Sequence, residues 1–400
     1  MMAMSDQIML EFYMNNYLWI FLQSTNNLSN AVISIFLSIF VWQKTGSIDY
    51  LFLFFLALFL TIPVSGFIGS YITEKFNFKT PVLISFMSQI LLLFFAVNYS
   101  NYLIDNPILF GLINGVSIGF YAVPRNAVFQ LMNKDSISAS NSLLSVIGGL
   151  ISLSVPVVGS LWISRTGNYN GIFILAGISI LLGFVVNFFI KYPKSNGMFD
   201  VLVYKQFAKN KDFIKVIFLR FLDGIKGGIE WAFMGVITLG LIGGDLEKWG
   251  ILNFFASLVG IGSGLFYMKV ISKGYDKPAL YLSSILYTFF GIFLLVSFGL
   301  VNFVFYLFGT TITSSFIGSA VSKLWSDVFD ESGGGSYNSS EFFSILEIPL
   351  MLGRVIPIFI LFFNQIDLSS KVNLGMLFIL ISTIPLLSTY VLQRTKALEV

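Results

Sequence analysis

The sequence contains no cysteine and no histidine, and few of its residues are charged. The lack of cysteine excludes disulfides, thiolate metal sites and cysteine nucleophiles. The lack of histidine leaves proton transfer to carboxylates, and we expect no metal site and no cofactor. Charged residues make up 11% of the chain, against about 25% in soluble proteins. With 56% hydrophobic residues in recurring long runs, the composition predicts an all-α membrane protein and not an enzyme.

The net charge and the first residues exclude two further classes. A net charge of +3 is too small to indicate nucleic-acid binding. The N-terminal residues lack a basic segment, a short apolar core and a small-residue cleavage site, so we expect no removable signal peptide. The first apolar segment is therefore expected to stay as a membrane span.

At about 20 apolar residues per crossing, the sequence predicts twelve transmembrane helices. Their limits are 14–42, 50–72, 80–99, 107–132, 140–164, 170–191, 213–241, 249–270, 279–299, 302–322, 342–364 and 371–393. The longest polar connection predicts two six-helix bundles, at 1–191 and 213–400, joined by a linker at 192–212. Within and beyond that linker, residues 201–216 mix Lys with Val, Phe and Ile, which predicts a helix lying on the cytoplasmic membrane surface.

The distribution of basic residues predicts the orientation. With the N-terminus inside, 15 of the 23 Lys and Arg residues lie in inner connections or the C-terminal tail, and four lie in outer loops. Basic residues are enriched on the cytoplasmic side of membrane proteins. We therefore expect a multi-pass protein of the cytoplasmic membrane with both termini in the cytoplasm.

Four ionisable side chains lie inside the predicted seventh span: Arg220, Asp223, Lys226 and Glu230. At about 100° per residue they share one face about 120° wide. Charge inside a membrane span is expensive and by default indicates a functional site. The stretch, which ends at Trp231, is interpreted as the wall of a polar pathway. The alternative is an internally neutralised cluster that only docks this helix on its neighbours.

Other spans carry polar side chains that could line the same pathway. In the first span they are Gln23, Asn26, Asn27 and Asn30, on one face about 100° wide. The later ones are Asn114, Arg125, Thr310, Ser314, Glu347 and Arg354. The amides could equally hold helices together. Glu347 and Arg354 lie two turns apart, so each is expected to have a partner elsewhere. Gly111, Gly115 and Gly119 repeat every four residues, which predicts a close-packing seam.

The architecture and several short motifs resemble the major facilitator superfamily. Residues 70–79 keep the acid–base pair of that family's loop after span two as Glu74–Lys75, and its final basic residue as Lys79. Asn114-Gly115 is similar to the family's Gln-Gly in span four. Pro156 and Gly159 match half of a pattern seen in its exporters. The resemblance implies two pseudo-symmetric bundles, with spans 1, 4, 7 and 10 lining a central cavity. It also implies a cytoplasmic gate at Glu74, Lys75 and Lys79.

The hypothesis is a monomeric, proton-coupled secondary transporter that moves a small organic or amphipathic solute by alternating access, with export favoured. Asp223, Glu230 and Glu347 are the proton-coupling candidates. The substrate-binding candidates are Gln23, Asn26, Asn27, Asn30, Asn114, Arg125, Arg220, Lys226, Trp231, Thr310, Ser314 and Arg354. The alternatives are an importer or facilitator of a small polar or charged solute, a lipid flippase, and a non-transporting membrane sensor.

Overall fold

Helices make up almost all of the structure. In this computed structural model, the described residues are 6–131, 134–192, 199, 203–271, 276–296, 299–331, 339–363 and 371–393. Before the linker lie α1 (Asp6–Val32), a π-helical turn (Ile33–Leu37), α2 (Ser38–Thr45), α3 (Ile48–Lys75), α4 (Lys79–Asn98), α5 (Ser100–Asp105), α6 (Pro107–Leu131), α7 (Lys134–Thr166) and α8 (Asn170–Asn187). After it come α9 (Val203–Phe207), α10 (Lys211–Leu241), α11 (Leu246–Ile271), α12 (Asp276–Val296), α13 (Leu300–Glu331), α14 (Ser339–Phe363) and α15 (Lys371–Leu392).

The long helices coincide with the predicted spans. In the described ranges, 11 helical segments are long and apolar enough to cross a membrane. α10 is also long, at 31 residues, and carries the charges of the predicted seventh span. Each predicted span lies on one of these helices, and α1, the π-helical turn and α2 together form the first. The all-α membrane fold is therefore confirmed.

Helix contacts repeat between the two parts of the chain. In the first part, α1 packs on α7 and α8, α6 packs on α3 and α4, and α4 packs on α8. In the second part, α10 packs on α14 and α15, α13 packs on α11 and α12, and α12 packs on α15. Each contact thus has a counterpart six long helices later. The arrangement is two pseudo-symmetric six-helix bundles, here called the first half and the second half.

The halves meet along two interfaces, which are equivalent to each other under the pseudo-symmetry. One is between α3 and α14, and the other is between α7 and α11. In the second interface the Ser257 hydroxyl donates to the Ser152 carbonyl at 3.0 Å. A Cβ on Gly250 would lie 2.8 Å from the Pro156 carbonyl. The backbones of α7 and α11 therefore approach each other closely.

The predicted glycine seam of α6 is confirmed. A Cβ on Gly115 would lie 2.7 Å from the Leu58 carbonyl of α3. Cβ atoms on Gly111 and Gly119 would overlap other carbonyls of the same helix. Small residues allow such approach where helices pack in membranes, and α6 therefore lies directly against α3.

The single interfacial helix predicted over 201–216 is wrong in extent. α9 is only five residues long, and α10 already begins at Lys211. The reason is a helix cap, because the Asn210 side chain accepts a hydrogen bond from the Asp212 amide at 2.9 Å.

α9 touches both halves. The Tyr204 ring lies 6.5 Å from the Phe67 ring of the first half, and the Tyr204 hydroxyl is 2.9 Å from the Ser344 hydroxyl of the second half. Burial raises the pKa of Tyr204 to about 12.

Aromatic side chains join the halves at the end where α3 begins, which is the predicted outer end. The Phe52 ring of α3 lies 5.1 Å from that of Phe233 on α10. It also lies 5.7 Å from that of Phe362 on α14. Both contacts are edge-on, a favourable arrangement for aromatic pairs. The two halves are therefore in contact at this end.

Candidate functional site

α10 and α14 contact each other through their backbones, which brings the charged residues together. A Cβ on Gly224 would lie 2.8 Å from the Gly353 Cα, and one on Gly228 would lie 2.7 Å from the Arg354 Cα. Gly227 differs, since no atom of the described residues lies within 4 Å of the position its Cβ would take. Two of the three glycines therefore serve helix packing, and the third faces open space.

Glu347 has a partner on the neighbouring helix. Its Oε1 lies 3.2 Å from Nη2 of Arg220, and the two side chains are only 8% and 12% exposed. The expectation that Glu347 pairs away from its own helix agrees with this geometry. A buried ion pair is expensive to desolvate but is strongly destabilised when one partner is removed. The pair fixes α10 against α14.

Glu230 is held by two groups and remains accessible. Its Oε2 lies 3.5 Å from Nζ of Lys226, one turn earlier on α10. Its Oε1 accepts a hydrogen bond from the Tyr287 hydroxyl of α12 at 3.0 Å. The Lys226 ammonium also lies 5.1 Å from the centre of the Tyr287 ring. The Glu230 side chain is 33% exposed, so these contacts bury its carboxylate only in part.

Asp223 lies between the two α10 cations, three residues from Arg220 and three from Lys226. Among the described residues it forms no ion pair within 4 Å. It is partly buried on the same helix face. Asp223 is thus a second carboxylate that Lys226 could reach by changing its side-chain conformation.

Arg354 contacts aromatic rings instead of an acid. Its guanidinium carbon lies 5.3 Å from the ring centres of both Phe59 and Trp231. Within the described part of the chain it forms no ion pair within 4 Å. A cation over aromatic faces is attracted to the negative charge of the ring face. Arg354 therefore lies behind the Trp231 ring and holds it against α3.

A cavity of about 460 Å³, here called cavity 1, lies between the halves. Its lining residues are Asn27, Asn30, Ala31, Ile33, Ser34, Asn114, Ile118, Gly148, Ile151, Ser152 and Trp231. All but the last belong to the first half. Its volume is within the range of about 300–1,000 Å³ that is typical of small-molecule sites.

A second cavity of about 200 Å³, here called cavity 2, adjoins the first. Its lining residues are Ser34, Ile35, Ser38, Glu230, Trp231, Met234, Gly235, Thr238, Trp249, Asn253 and Leu307. Ser34 and Trp231 line both cavities. Ser34 belongs to the π-helical turn, a feature that is frequent at functional sites. The two cavities thus place a carboxylate next to a chamber whose lining includes no charged side chain among the described residues.

The four amide side chains of α1, Gln23, Asn26, Asn27 and Asn30, lie in different environments in the structure. Asn27 and Asn30 line cavity 1, as does Asn114. Gln23 and Asn26 are buried and line neither cavity. Asn30 also accepts a hydrogen bond from the Gln89 amide of α4 at 2.6 Å. The amides of α1 therefore both line a cavity and contact a neighbouring helix, as the two interpretations of the sequence suggested.

The hydroxyls of Thr310 and Ser314, two candidates for lining the polar pathway, form hydrogen bonds within α13. Thr310 donates to the Tyr306 carbonyl at 2.8 Å, and Ser314 donates to the Thr311 carbonyl at 3.0 Å. Neither lines the two cavities, to which α13 contributes Leu307. A helical Ser or Thr can satisfy its hydroxyl on the preceding turn, and helical spacing alone could not exclude this.

The remaining candidates lie toward the predicted cytoplasmic end. Arg125 is partly buried near the end of α6 and lines neither cavity. Lys75 donates to the Tyr71 hydroxyl at 3.3 Å. Lys79 donates to the Phe188 carbonyl at 2.9 Å, where a cation stabilises the end of α8. These bonds of Lys75 and Lys79 stay in the first half, and a gate involving Glu74 stays a prediction.

Sequence reasoning missed three partners of the site: Phe59, Gln89 and Tyr287. Gln89 is an amide in an otherwise apolar span, which was a usable signal. Nothing distinguishes Tyr287 among 17 tyrosines or Phe59 among 45 phenylalanines. The helices α4 and α12 are not among the four spans that the resemblance places around the central cavity, yet each supplies a polar partner to a helix that lines the cavities.

Comparisons with known proteins support the fold. The chain aligns with the crystal structure of a D-xylose-proton symporter at a TM-score of 0.69 and 13% identity, covering 96% of this chain and 97% of that one. It aligns with a point mutant of the nucleoside transporter NupG at a TM-score of 0.67 and 12% identity, covering 94% of this chain and 99% of that one.

The sequence comparisons are less specific. The uncharacterized protein YqgE of Bacillus subtilis (strain 168) is 21% identical over 271 residues, which is 65% of this chain and 61% of that relative's length. No protein-family model matches the chain. The structural matches instead extend over nearly all of it, through both six-helix halves. The chain therefore has the fold of the major facilitator transporters.

Proposed function

We propose that this protein is a secondary active transporter that moves a small organic solute across the cytoplasmic membrane by alternating access, coupled to protons. The observation that carries the proposal is the position of Glu230, a partly exposed carboxylate in the wall of cavity 2. Its neighbour Trp231 lines both cavities. A solute in cavity 1 would thus contact the residue adjacent to the proton carrier.

Lys226 gives this carboxylate a means of linking protonation to conformation. When Glu230 is ionised, Lys226 pairs with it at 3.5 Å. When Glu230 takes up a proton, that pair is lost and Lys226 needs another acid. Asp223 lies three residues before it, on the same face. Exchange of Lys226 between the two acids would stabilise one conformer in each protonation state, which is what coupling requires.

The division into two pseudo-symmetric halves supports alternating access. Transporters with repeated bundles bind the solute between the repeats and rock the bundles about that site. Here we take residues 1–191 and 213–400 as the moving units and 192–212 as their cytoplasmic linker. The two solved structures compared above are those of a proton symporter and of a nucleoside transporter.

The side chains that line cavity 1 include three asparagines and two serines, which favours a solute with hydrogen-bonding groups. The argument for export was the half-match at Pro156 and Gly159. A Cβ on Gly159 would overlap the Phe36 ring, and the Pro156 carbonyl lies against Gly250. Both residues thus have a packing role that needs no export function.

The test is solute-dependent proton movement in proteoliposomes of the purified full chain, followed with a pH indicator trapped inside. D-xylose and uridine are the first probes, because the two structures compared above belong to a D-xylose symporter and a nucleoside transporter. We expect Glu230→Gln to reduce proton entry at least tenfold while solute exchange at equal concentrations persists. Asp223→Asn should have a smaller effect of the same kind.

Glu247→Gln is the matched control, since Glu247 is exposed at the start of α11. It should behave like the unmodified protein. If Glu230→Gln and Asp223→Asn both leave proton entry intact, coupling through α10 is wrong. If the unmodified protein moves none of a broad solute panel, the transport proposal itself is wrong.

A further inference from the structure

Charge is distributed unequally between the two cavities. In the described part of the chain, no acidic or basic side chain lines cavity 1. Its polar groups are three asparagines, two serines and the Trp231 indole. Glu230 lines cavity 2, and the other charged residues of α10 and α14 line neither. A charged solute in cavity 1 would lose its hydration without gaining a counter-charge, which is unfavourable.

Asn114 has an unused hydrogen-bonding capacity in this cavity. Its side chain is only 3% exposed, and its Oδ1 has no hydrogen-bond partner among the described residues. A buried acceptor without a hydrogen-bond partner is destabilising. A solute that donates a hydrogen bond to this atom would therefore gain binding energy.

Asn30 presents the opposite capacity. Its Oδ1 already accepts a hydrogen bond from Gln89 at 2.6 Å. The remaining group of this amide is its NH2, a donor. Cavity 1 thus offers an acceptor on α6 and a donor on α1, and a well-matched solute carries both kinds of group.

Trp231 supplies a flat apolar surface that is ordered in advance. Its ring lies 5.6 Å from that of Phe59 and 5.3 Å from the Arg354 guanidinium. A side chain that is already fixed loses little entropy when a ligand binds. The remaining face of the indole can therefore stack on a solute at low cost.

We propose that cavity 1 binds an uncharged solute with both hydrogen-bond donors and acceptors and one flat face, such as a monosaccharide or a nucleoside. Carboxylates, amines and amphipathic cations are excluded by the same lining. This inference rests on the proposed function in one respect, namely that cavity 1 is the substrate site.

The test is ligand binding by the full chain in detergent, measured as a shift in melting temperature, because a ligand of the native state raises apparent stability. The panel is D-xylose, D-glucose and uridine against L-glutamate, L-lactate, spermidine and tetraphenylphosphonium. We expect at least one uncharged compound, and no charged one, to raise the melting temperature.

Variants assign the shift to cavity 1. Asn114→Leu should weaken binding at least tenfold, whereas Asn98→Leu should not, since Asn98 is exposed and bonds only its own helix. Asn114→Asp changes the size of the side chain very little, so it controls for misfolding as the cause of lost binding. It should weaken binding of the uncharged ligand and introduce binding of spermidine.

The proposal is overturned if no uncharged compound shifts the melting temperature, if a charged compound does so in the unmodified protein, or if Asn114→Leu binds normally. Binding needs no gradient. A persistent shift without flux in proteoliposomes would therefore contradict the transport proposal while supporting the uncharged site.

Discussion

The two halves share one helix arrangement but differ in the chemistry of their central polar groups. In the first half, Asn30 of α1 accepts a hydrogen bond from Gln89 of α4. In the second half, Glu230 of α10 accepts one from Tyr287 of α12. These helix pairs correspond under the pseudo-symmetry. The fold thus provides equivalent positions for a polar contact, and the sequence makes one contact neutral and the other charged.

The difference indicates a division of roles. Neutral amides can recognise a solute without changing their charge, and they line cavity 1. Carboxylates are needed to carry protons in a chain without histidine. They lie on α10 and α14, where Arg220 and Lys226 compensate them. Compensation of this kind is what makes charge tolerable inside a membrane protein.

The largest effect is expected from breaking the most deeply buried charged contact. Glu347→Gln removes the acid that lies 3.2 Å from Arg220. Loss of one partner of a buried ion pair costs about 3–5 kcal/mol, because the other charge stays buried. We expect a fall of this size in the free energy of unfolding, measured by denaturant titration in detergent.

A neutral helix–helix contact in the first half is the control. Gln89→Leu removes the donor to Asn30, and a lost buried hydrogen bond costs about 1–3 kcal/mol. The double variant Arg220→Met with Glu347→Leu should recover most of the stability lost in Glu347→Gln, since neither charge of this pair is then left without the other. Equal losses in Glu347→Gln and Gln89→Leu would contradict the contrast between the halves.

A smaller effect is expected where the halves meet at Trp231. Arg354→Lys keeps the positive charge but removes the planar group that stacks on Trp231 and Phe59. Cation–π contacts are worth about 0.5–2 kcal/mol. With the five other tryptophans replaced by phenylalanine, we expect stronger acrylamide quenching of Trp231 fluorescence in Arg354→Lys.

This measurement separates two roles of Arg354, which the sequence suggested as a substrate ligand. Arg354 lines neither cavity, and the geometry instead indicates that it positions Trp231. A lower melting temperature without a change in quenching would indicate a purely structural role and would contradict positioning.

Sequence reasoning predicted the fold better than the site. Long apolar runs determine where helices cross a membrane, and the predicted spans agree with the helices. The charges of α10 were found because few other interpretations fit ionisable residues in an apolar run. Helical spacing could not separate Asn27 and Asn30, which line cavity 1, from Gln23 and Asn26, which do not. That distinction depends on the neighbouring helices. The Tyr287 contact likewise depends on tertiary packing.

The smallest effect concerns the caps of α3 and α11, which correspond under the pseudo-symmetry. The Ser47 hydroxyl accepts a hydrogen bond from the Asp49 amide at 3.2 Å. The Asp245 carboxylate accepts one from the Lys248 amide at 3.1 Å and lies 3.0 Å from its ammonium. The first half thus again has a neutral group where the second half has a charged one.

Only the charged cap should depend on pH. The backbone amide of Lys248, followed by its side chain, lowers the pKa of Asp245. A lowered pKa in the folded state gives stability that is present above the ordinary pKa of about 4 and is lost as the pH falls through the folded value.

We expect Ser47→Ala and Asp245→Ala each to lower the melting temperature slightly at pH 7. Toward pH 3 the deficit of Asp245→Ala should shrink while that of Ser47→Ala stays constant. A deficit of Asp245→Ala that does not change with pH would mean that charge contributes nothing at this cap, and the contrast between the halves would then be confined to the membrane interior.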